Sequence, residues 1–227
     1  MILGHSVIRS VIKLCLSSTL SLFNFPLFTQ SIELKNEYRE TNRYFKEKKY
    51  DKALKSNEKA LRLSIKEFGV NHLTTATLLE NKGRLLLELN NFYVAEEEFR
   101  KVFNIRKELV NEYSPDMAEC LNYLALALRK QNKLEEAMVE HGKVLNIMSN
   151  VIANNPGQIS ELSRRSALYR ARAYQTKGQL LISQENYSEA EGNFNIAEKI
   201  FERTLSENNK ELDVLKLQMR KLSEIKN

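Results

Sequence analysis

Four short segments, YDKAL, FYVAE, LEEAM and YSEAE, recur along the chain in a single register. Their alanines, Ala53, Ala95, Ala137 and Ala190, are separated by 42, 42 and 53 residues, the last interval being the same period plus eleven. An apolar residue stands three positions before each alanine (Tyr50, Phe92, Leu134, Tyr187), just after a polar break: KEKK, ELNN, KQNK or SQEN. Twelve positions before each alanine stands a small residue: Thr41, Gly83, Ala125 or Gly178. A fixed period of this length marks a stack of small supersecondary units, each unable to bury its apolar face alone. Two antiparallel helices approach closely only where side chains are small, so each small residue is expected to face its alanine where the two helices cross.

The apolar pattern supports helical hairpins. In the second unit Leu78, Leu79, Leu85, Leu86 and Leu89 stripe the first helix, and Phe99, Val102, Phe103, Ile105 and Leu109 the second. Ser114 and Pro115 are expected as N-cap and first-turn proline before MAECLNYLALALRK, while Thr74 or Thr75 is expected to cap the helix that follows EFGVNHL. Only seven Gly and three Pro in 227 residues leave room for little besides helices and short connections. The third unit departs from the pattern. Its extra eleven residues place a turn at Asn154, Asn155, Pro156 and Gly157 and a long helix over ISELSRRSALYRARAYQTKGQLL, which is expected to bend the stack before the fourth unit. In the last segment Leu212, Leu215, Met219 and Leu222 fall at helical spacing. That helix is expected to cap the exposed face of the final hairpin; a short coiled-coil or partner contact is the alternative.

On these residues the chain resembles the tetratricopeptide repeat family, in its 42-residue kinesin-light-chain-like variety. The linker Gly69, Val70, Asn71, His72, Leu73, Thr74, Thr75, Ala76 is similar to that variety's Gly-Pro-Asp-His-Pro-x-Thr-Ala, and Leu121 to Leu124 read LNYL where it has Leu-Asn-Asn-Leu. The resemblance runs from Glu33 to about Leu205. It implies an all-α, right-handed superhelical solenoid of about four antiparallel hairpins plus a C-terminal capping helix. Within a domain over 32–227, the repeats fall at about 34–75, 76–117, 118–170 with the eleven-residue insertion, and 171–207, and the cap at 209–226.

The resemblance also implies a non-enzymatic scaffold that binds a peptide or protein in the concave groove formed by the first helices. The wall would display Lys35, Tyr38, Asn42 and Phe45 in repeat one, and Thr77, Glu80, Asn81, Arg84 and Leu87 in repeat two. Glu119, Asn122, Leu126 and Arg129 follow in repeat three, and Arg172, Gln175, Gln179 and Ile182 in repeat four. In chaperone-binding relatives two asparagines and three basic residues grip a terminal carboxylate. Asn42 and Asn81 match the asparagines, but Tyr38, Glu119 and Tyr123 hold the basic positions, and Glu119 would repel the ligand. A partner held by hydrogen bonds and aromatic contacts is expected instead. An assembly or maintenance factor in mitochondria, and a sensor module acting on a separate effector chain, are the alternatives.

No catalytic constellation is present in the sequence, and no cofactor or metal is expected. His5, His72 and His141 are far apart and none has a partner at metal-ligand spacing. Cys120, the one cysteine beyond Cys15, sits among apolar neighbours in ECLNYLALALRK and is expected to be buried and structural. The net charge of +6 and pI near 9.2 come with Lys, Arg and Glu interleaved, a pattern expected of solvated faces rather than of a nucleic-acid or anionic-membrane surface; the run Glu96 to Glu98 is read in the same way.

The first 31 residues differ from the rest. They hold no Asp or Glu, two basic residues at Arg9 and Lys13, and then LCLSSTLSLFNFPLF. A secretory signal cleaved after Ser31 is expected, hence export to a periplasmic or extracellular space. Alternatives are a mitochondrial presequence and an uncleaved anchor that would keep the domain close to a membrane.

Overall fold

A computed structural model describes residues 31–154, 159–205 and 209–226. The leader and the turn expected at Asn155, Pro156 and Gly157 lie outside the described residues. Among the described residues nine helices follow one another: α1 (Ile32–Lys46), α2 (Tyr50–Phe68), α3 (Leu73–Glu88), α4 (Phe92–Leu109), α5 (Pro115–Lys130), α6 (Leu134–Asn154), α7 (Ile159–Ser183), α8 (Tyr187–Thr204) and α9 (Lys210–Lys226). They pair as hairpins α1–α2, α3–α4, α5–α6 and α7–α8. Each hairpin packs on the next and α9 packs on α8, so contacts run almost wholly between chain neighbours, as in a solenoid. Among the described residues there is no strand, and no helix is long and apolar enough to cross a membrane.

Each polar break is one closed turn used four times. Lys48, Asn90, Asn132 and Glu185 occupy the left-handed region, with φ of 56, 59, 62 and 59°. The N–H of Asn90 donates to Leu87 O (3.1 Å) and that of Asn91 to Leu86 O (2.8 Å); the same pair of bonds recurs at 48/49, 132/133 and 185/186. This is the Schellman arrangement, which satisfies the last carbonyls of the first helix and aims the chain back along it.

In the second and fourth hairpins the residue nearest the small one is not the alanine that the sequence pointed to. The ring facing Gly83 is Phe99, four residues beyond Ala95: a Cβ on Gly83 would lie 2.7 Å from that ring, and one on Gly178 would meet Phe194 closer still. The register puts Thr41 with Asn57 and Ala125 with His141 at the same rung. Asn57, Phe99, His141 and Phe194 are all buried. The small residue therefore makes room for a large buried one, and its size falls as its partner grows.

The eleven extra residues lengthen helices rather than a loop. α6 has 21 residues against 18 in α4, and α7 has 25 against 16 in α3 and α5. The added turns of α7 carry Leu162 and Tyr169 into the core of the middle hairpins, while Ala171 and Leu181 join a second core with α8 and α9. α7 thus belongs to both cores. α9 buries Leu215 and Leu222 against that second core, with Leu212 and Met219 at its edge, as a cap must.

Three local expectations change. Glu96 and Glu98 are buried, not solvated: Glu96 accepts from Arg100 (2.8 Å), Gln131 (2.8 Å) and Lys133 (2.9 Å), and Glu98 from Lys82 (3.0 Å). Leu109 is exposed, because α4 ends there and the chain turns away. His72, not a threonine, caps α3: its Nδ1 accepts from the Thr74 N–H at 3.1 Å and its ring stacks on Phe68. Ser114 caps α5 with Pro115 in the first turn, as its sequence indicates.

Candidate functional site

The first helices α1, α3, α5 and α7 carry the expected wall, and α9 extends the row by one. Lys35, Tyr38, Asn42 and Phe45 are half-buried along α1, and Phe45 packs edge-on against Tyr50 (5.6 Å). On α3 the hydroxyl of Thr77 donates to Leu73 O at 2.9 Å, and Leu87 leans on the main core. Glu80 is buried and ion-paired with Arg106 of α4, whose Nη1 also donates to Asp116 O at 2.9 Å. Burial pushes the Glu80 carboxyl up to about 7, against the attraction of Arg106; for Arg106 desolvation is the largest influence, but the combined attractions led by Glu80 outweigh it and hold the guanidinium above its ordinary value.

Asn81 is 1% exposed, and neither its amide nitrogen nor its oxygen has a hydrogen-bond partner among the described residues. One hairpin on, Asn122 is equally buried and its Oδ1 has no partner among the described residues, nor has the Oε1 of Gln179 on α7. Arg84 lies over the ring of Tyr123, 4.8 Å from its centroid. Leu126 is half-buried on the same helix as Tyr123.

The far end of the wall is cross-linked. Glu119 binds Arg165 from the added turns of α7 (2.9 Å), and Arg129 donates to the Gln175 side-chain oxygen. Gln175 then donates to Gln218 of α9 (2.8 Å), and Arg172 grips Glu211 of α9 through Nε (2.8 Å) and Nη2 (2.7 Å). Burial lowers the Arg129 pKa to about 10; for Arg172 the Glu211 carboxylate overcomes the same desolvation and raises it. Ile182 packs at the margin of the second core.

Sequence reasoning missed Arg106, Arg165, Glu211 and Gln218. The last two had a signal: they stand seven residues apart, as Leu215 and Leu222 do, and so form a second stripe on α9 beside the apolar one.

The wall offers amides, guanidinium groups and aromatic faces, a set that hydrogen-bonds and stacks. Cys120 is fully buried, its Sγ 3.4 Å from Phe99 O, and burial holds the thiol protonated far above its ordinary range, which removes it as a nucleophile. Two clefts of about 620 and 300 Å³ open elsewhere, between α8 and α9, and share Met219 in their linings.

The family model for the tetratricopeptide repeat matches residues 44–108 and 76–150. The fold is similar to that of a kinesin-light-chain-type protein of Podosopora anserina with nearly identical TPR-like repeats, at 18% identity and a TM-score of 0.55, covering 84% of this chain and 85% of that one. It is likewise similar to BtubC (BKLC) from P. vanneervenii, at 18% identity and a TM-score of 0.58, covering 81% and 71%. No curated protein sequence matches the chain.

Proposed function

This chain is a tetratricopeptide-repeat protein, and on that premise we propose that it is a non-enzymatic scaffold whose concave wall holds a peptide or protein partner. The observation that carries the reading is Asn81, a buried amide with both polar atoms unpaired among the described residues, followed along the wall by Asn122 and Gln179. An unpaired buried polar group costs about 1–3 kcal/mol. An extended peptide offers alternating N–H and C=O groups that can pair directly with the half-buried Gln179 and, once neighbouring side chains shift aside, with Asn81 and Asn122, and Arg84 over Tyr123 supplies a flat cationic face beside them. Photocrosslinking tests it. A benzophenone side chain at Leu126, on the wall, should capture a discrete partner that the same group at Val139, on the outer face, does not. Capture should disappear in a Tyr38→Ala/Asn42→Ala/Arg84→Ala variant; equal capture from both positions would sink the reading.

We also propose that the first 31 residues direct export. If the leader is cleaved, the contacts of Ser31 favour a site before that residue. The Ser31 Oγ accepts from the Leu34 N–H (3.2 Å) and the Ser31 N–H donates to Glu67 (3.1 Å), so Ser31 is the N-cap of α1. Cleavage after Ser31 would strip that cap, whereas cleavage before it keeps it. N-terminal sequencing of the mature chain decides: a start at or just before Ser31 in an exported fraction supports export, and an organelle-restricted product points to the mitochondrial alternative.

A further inference from the structure

The formal charge of +6 is not spread evenly once the helices are in place. On α2, Lys52, Lys55, Lys59, Arg62 and Lys66 follow one another at spacings of three, four, three and four, the spacing of a single helical face. All five are exposed, in a straight row about 21 Å long at 1.5 Å rise per residue. The opposite face of α2, with Ala53, Asn57, Ala60 and Ser64, is locked in the core.

The other second helices provide an internal control, because they present the same five register positions to the same outer surface. Those positions carry Lys101 with two glutamates on α4, Lys143 with one glutamate on α6, and Lys199 and Arg203 with one glutamate on α8. Their net charges are −1, 0 and +1 against +5 on α2. Solvation of an outer helix face therefore calls for mixed charge, and α2 departs from it. The row alone nearly equals the formal excess of the whole chain. Within it Lys59 meets Glu37 (3.3 Å) and Lys52 lies near the Tyr44 ring (5.9 Å), while Lys55, Arg62 and Lys66 have no ion-pair partner among the described residues. Asp51, Glu58 and Glu67 flank the row on the same helix.

We propose that the outer face of α2 docks on an anionic lipid surface. A straight row of point charges on the outer face of one helix fits a flat sheet of headgroups, and because the apolar face of α2 is already buried the attachment is electrostatic and does not insert. Position in the chain favours lipid over other polyanions: α1 begins four residues after the acid-free apolar stretch that ends at Phe28, so a leader that engages a membrane, whether it is then cleaved or retained, delivers this polybasic face to a lipid surface. This surface is separate from the concave wall and stands whether or not that wall binds a peptide.

The test is co-sedimentation of the full chain with phosphatidylcholine vesicles, with and without phosphatidylserine. Binding should need phosphatidylserine and should fall between about 0.15 and 1 M salt, as the Debye length shrinks from about 8 to about 3 Å. Each cation near an anionic surface is worth about fivefold in affinity, so Lys55→Glu/Arg62→Glu/Lys66→Glu should weaken binding on the order of 100-fold or more. The control Lys143→Glu/Lys199→Glu/Arg203→Glu makes the same charge change at register-equivalent positions and should bind within a few-fold of the parent. If the first variant melts early, Lys55→Gln/Arg62→Gln/Lys66→Gln replaces it, with a smaller expected loss. Equal losses in both variants, equal binding to neutral vesicles, or full displacement by duplex DNA at matched charge would overturn the proposal.

Discussion

Phe99 and His141 occupy the same place in consecutive hairpins, 42 residues apart, and both are buried. Phe99 lies on Gly83 and stacks on Tyr123 of the next hairpin, with ring centroids 5.6 Å apart. His141 stands in register with Ala125, and its Nε2 lies 3.1 Å from the hydroxyl of Thr176 on the next hairpin. Thr176 already donates its proton to Arg172 O at 2.8 Å, so the imidazole must donate through Nε2–H, which leaves Nδ1 bare and unpartnered among the described residues. The first hairpin takes the polar route, with Asn57 donating to Leu78 O (3.0 Å), and the fourth the aromatic one. The contrast teaches that the repeat fixes volume at this rung and leaves its polarity free. Only the third hairpin thereby acquires a titratable joint.

The largest expected effect breaks the comparison with acid. Burial, helped by the charges of Arg129 and Arg172, pushes His141 down to about 3 from 6.5. A depressed folded pKa means that the unfolded chain takes up protons first, so the stability tied to neutral His141 is full above about 6.5 and is lost as pH falls toward about 3. At 1.36 kcal/mol per unit the full loss is on the order of 5 kcal/mol. Glu80, raised to about 7, acts in the opposite sense between about 4.5 and 7, so the stability curve should be shallow there and steep below. Urea midpoints from pH 7.5 to 3.5 measure this, and His141→Gln should flatten the acid limb. An unchanged limb in that variant would show that the joint is not what titrates.

Next in size is the close contact that the aromatic rungs need. Alanine for a helical glycine normally stabilises by up to about 1 kcal/mol, but at Gly83 the new Cβ meets Phe99 at 2.7 Å, and Phe99 is fully buried and cannot swing clear. Gly83→Ala and Gly178→Ala should each cost about 1–3 kcal/mol. Gly142 and Gly192, with nothing near a Cβ, should gain from the same change. Stabilisation at all four sites would mean that the rings have room to move.

A swap sharpens the comparison further. His141→Phe alone should overpack against Ala125 and cost about 1–2 kcal/mol, whereas His141→Phe with Ala125→Gly should recover most of the loss and remove the acid limb. A double-mutant cycle with no coupling between the two positions would refute the size rule inferred from the rungs.

Much of this was legible in the sequence. The period pointed to four hairpins and to the polar break inside each, because the small residue and the left-handed turn recur at a fixed spacing within every unit; the turn read at 154–157 falls largely outside the described residues. The size pairing was also written there, as Thr with Asn, Gly with Phe, Ala with His and Gly with Phe, but it lies four residues beyond the alanine that draws the eye. What the sequence hid depends on chain segments far apart. Glu96 reads as solvated until Gln131 and Lys133, from the turn of the following hairpin, close over it. On the wall, the charge of Arg172 is settled by Glu211, 39 residues away on a helix whose apolar stripe had explained its presence.

The smallest prediction returns to the turns, where the two kinds of hairpin share one backbone. Lys48 and Glu185 hold the left-handed conformation at φ of 56 and 59°, as Asn90 and Asn132 do, yet only asparagine tolerates that region through local hydrogen bonding. Glycine relieves the strain, which is of order 1–2 kcal/mol for an ordinary side chain, but it also raises the entropy of the unfolded chain. The net gain from Lys48→Gly or Glu185→Gly should be about 0.5–1 kcal/mol, and from Asn90→Gly or Asn132→Gly close to zero. Thermal midpoints of the four variants read the difference directly. Equal shifts across all four would mean that the strain is relieved elsewhere and that the turn sequence, unlike the rung, is free to vary.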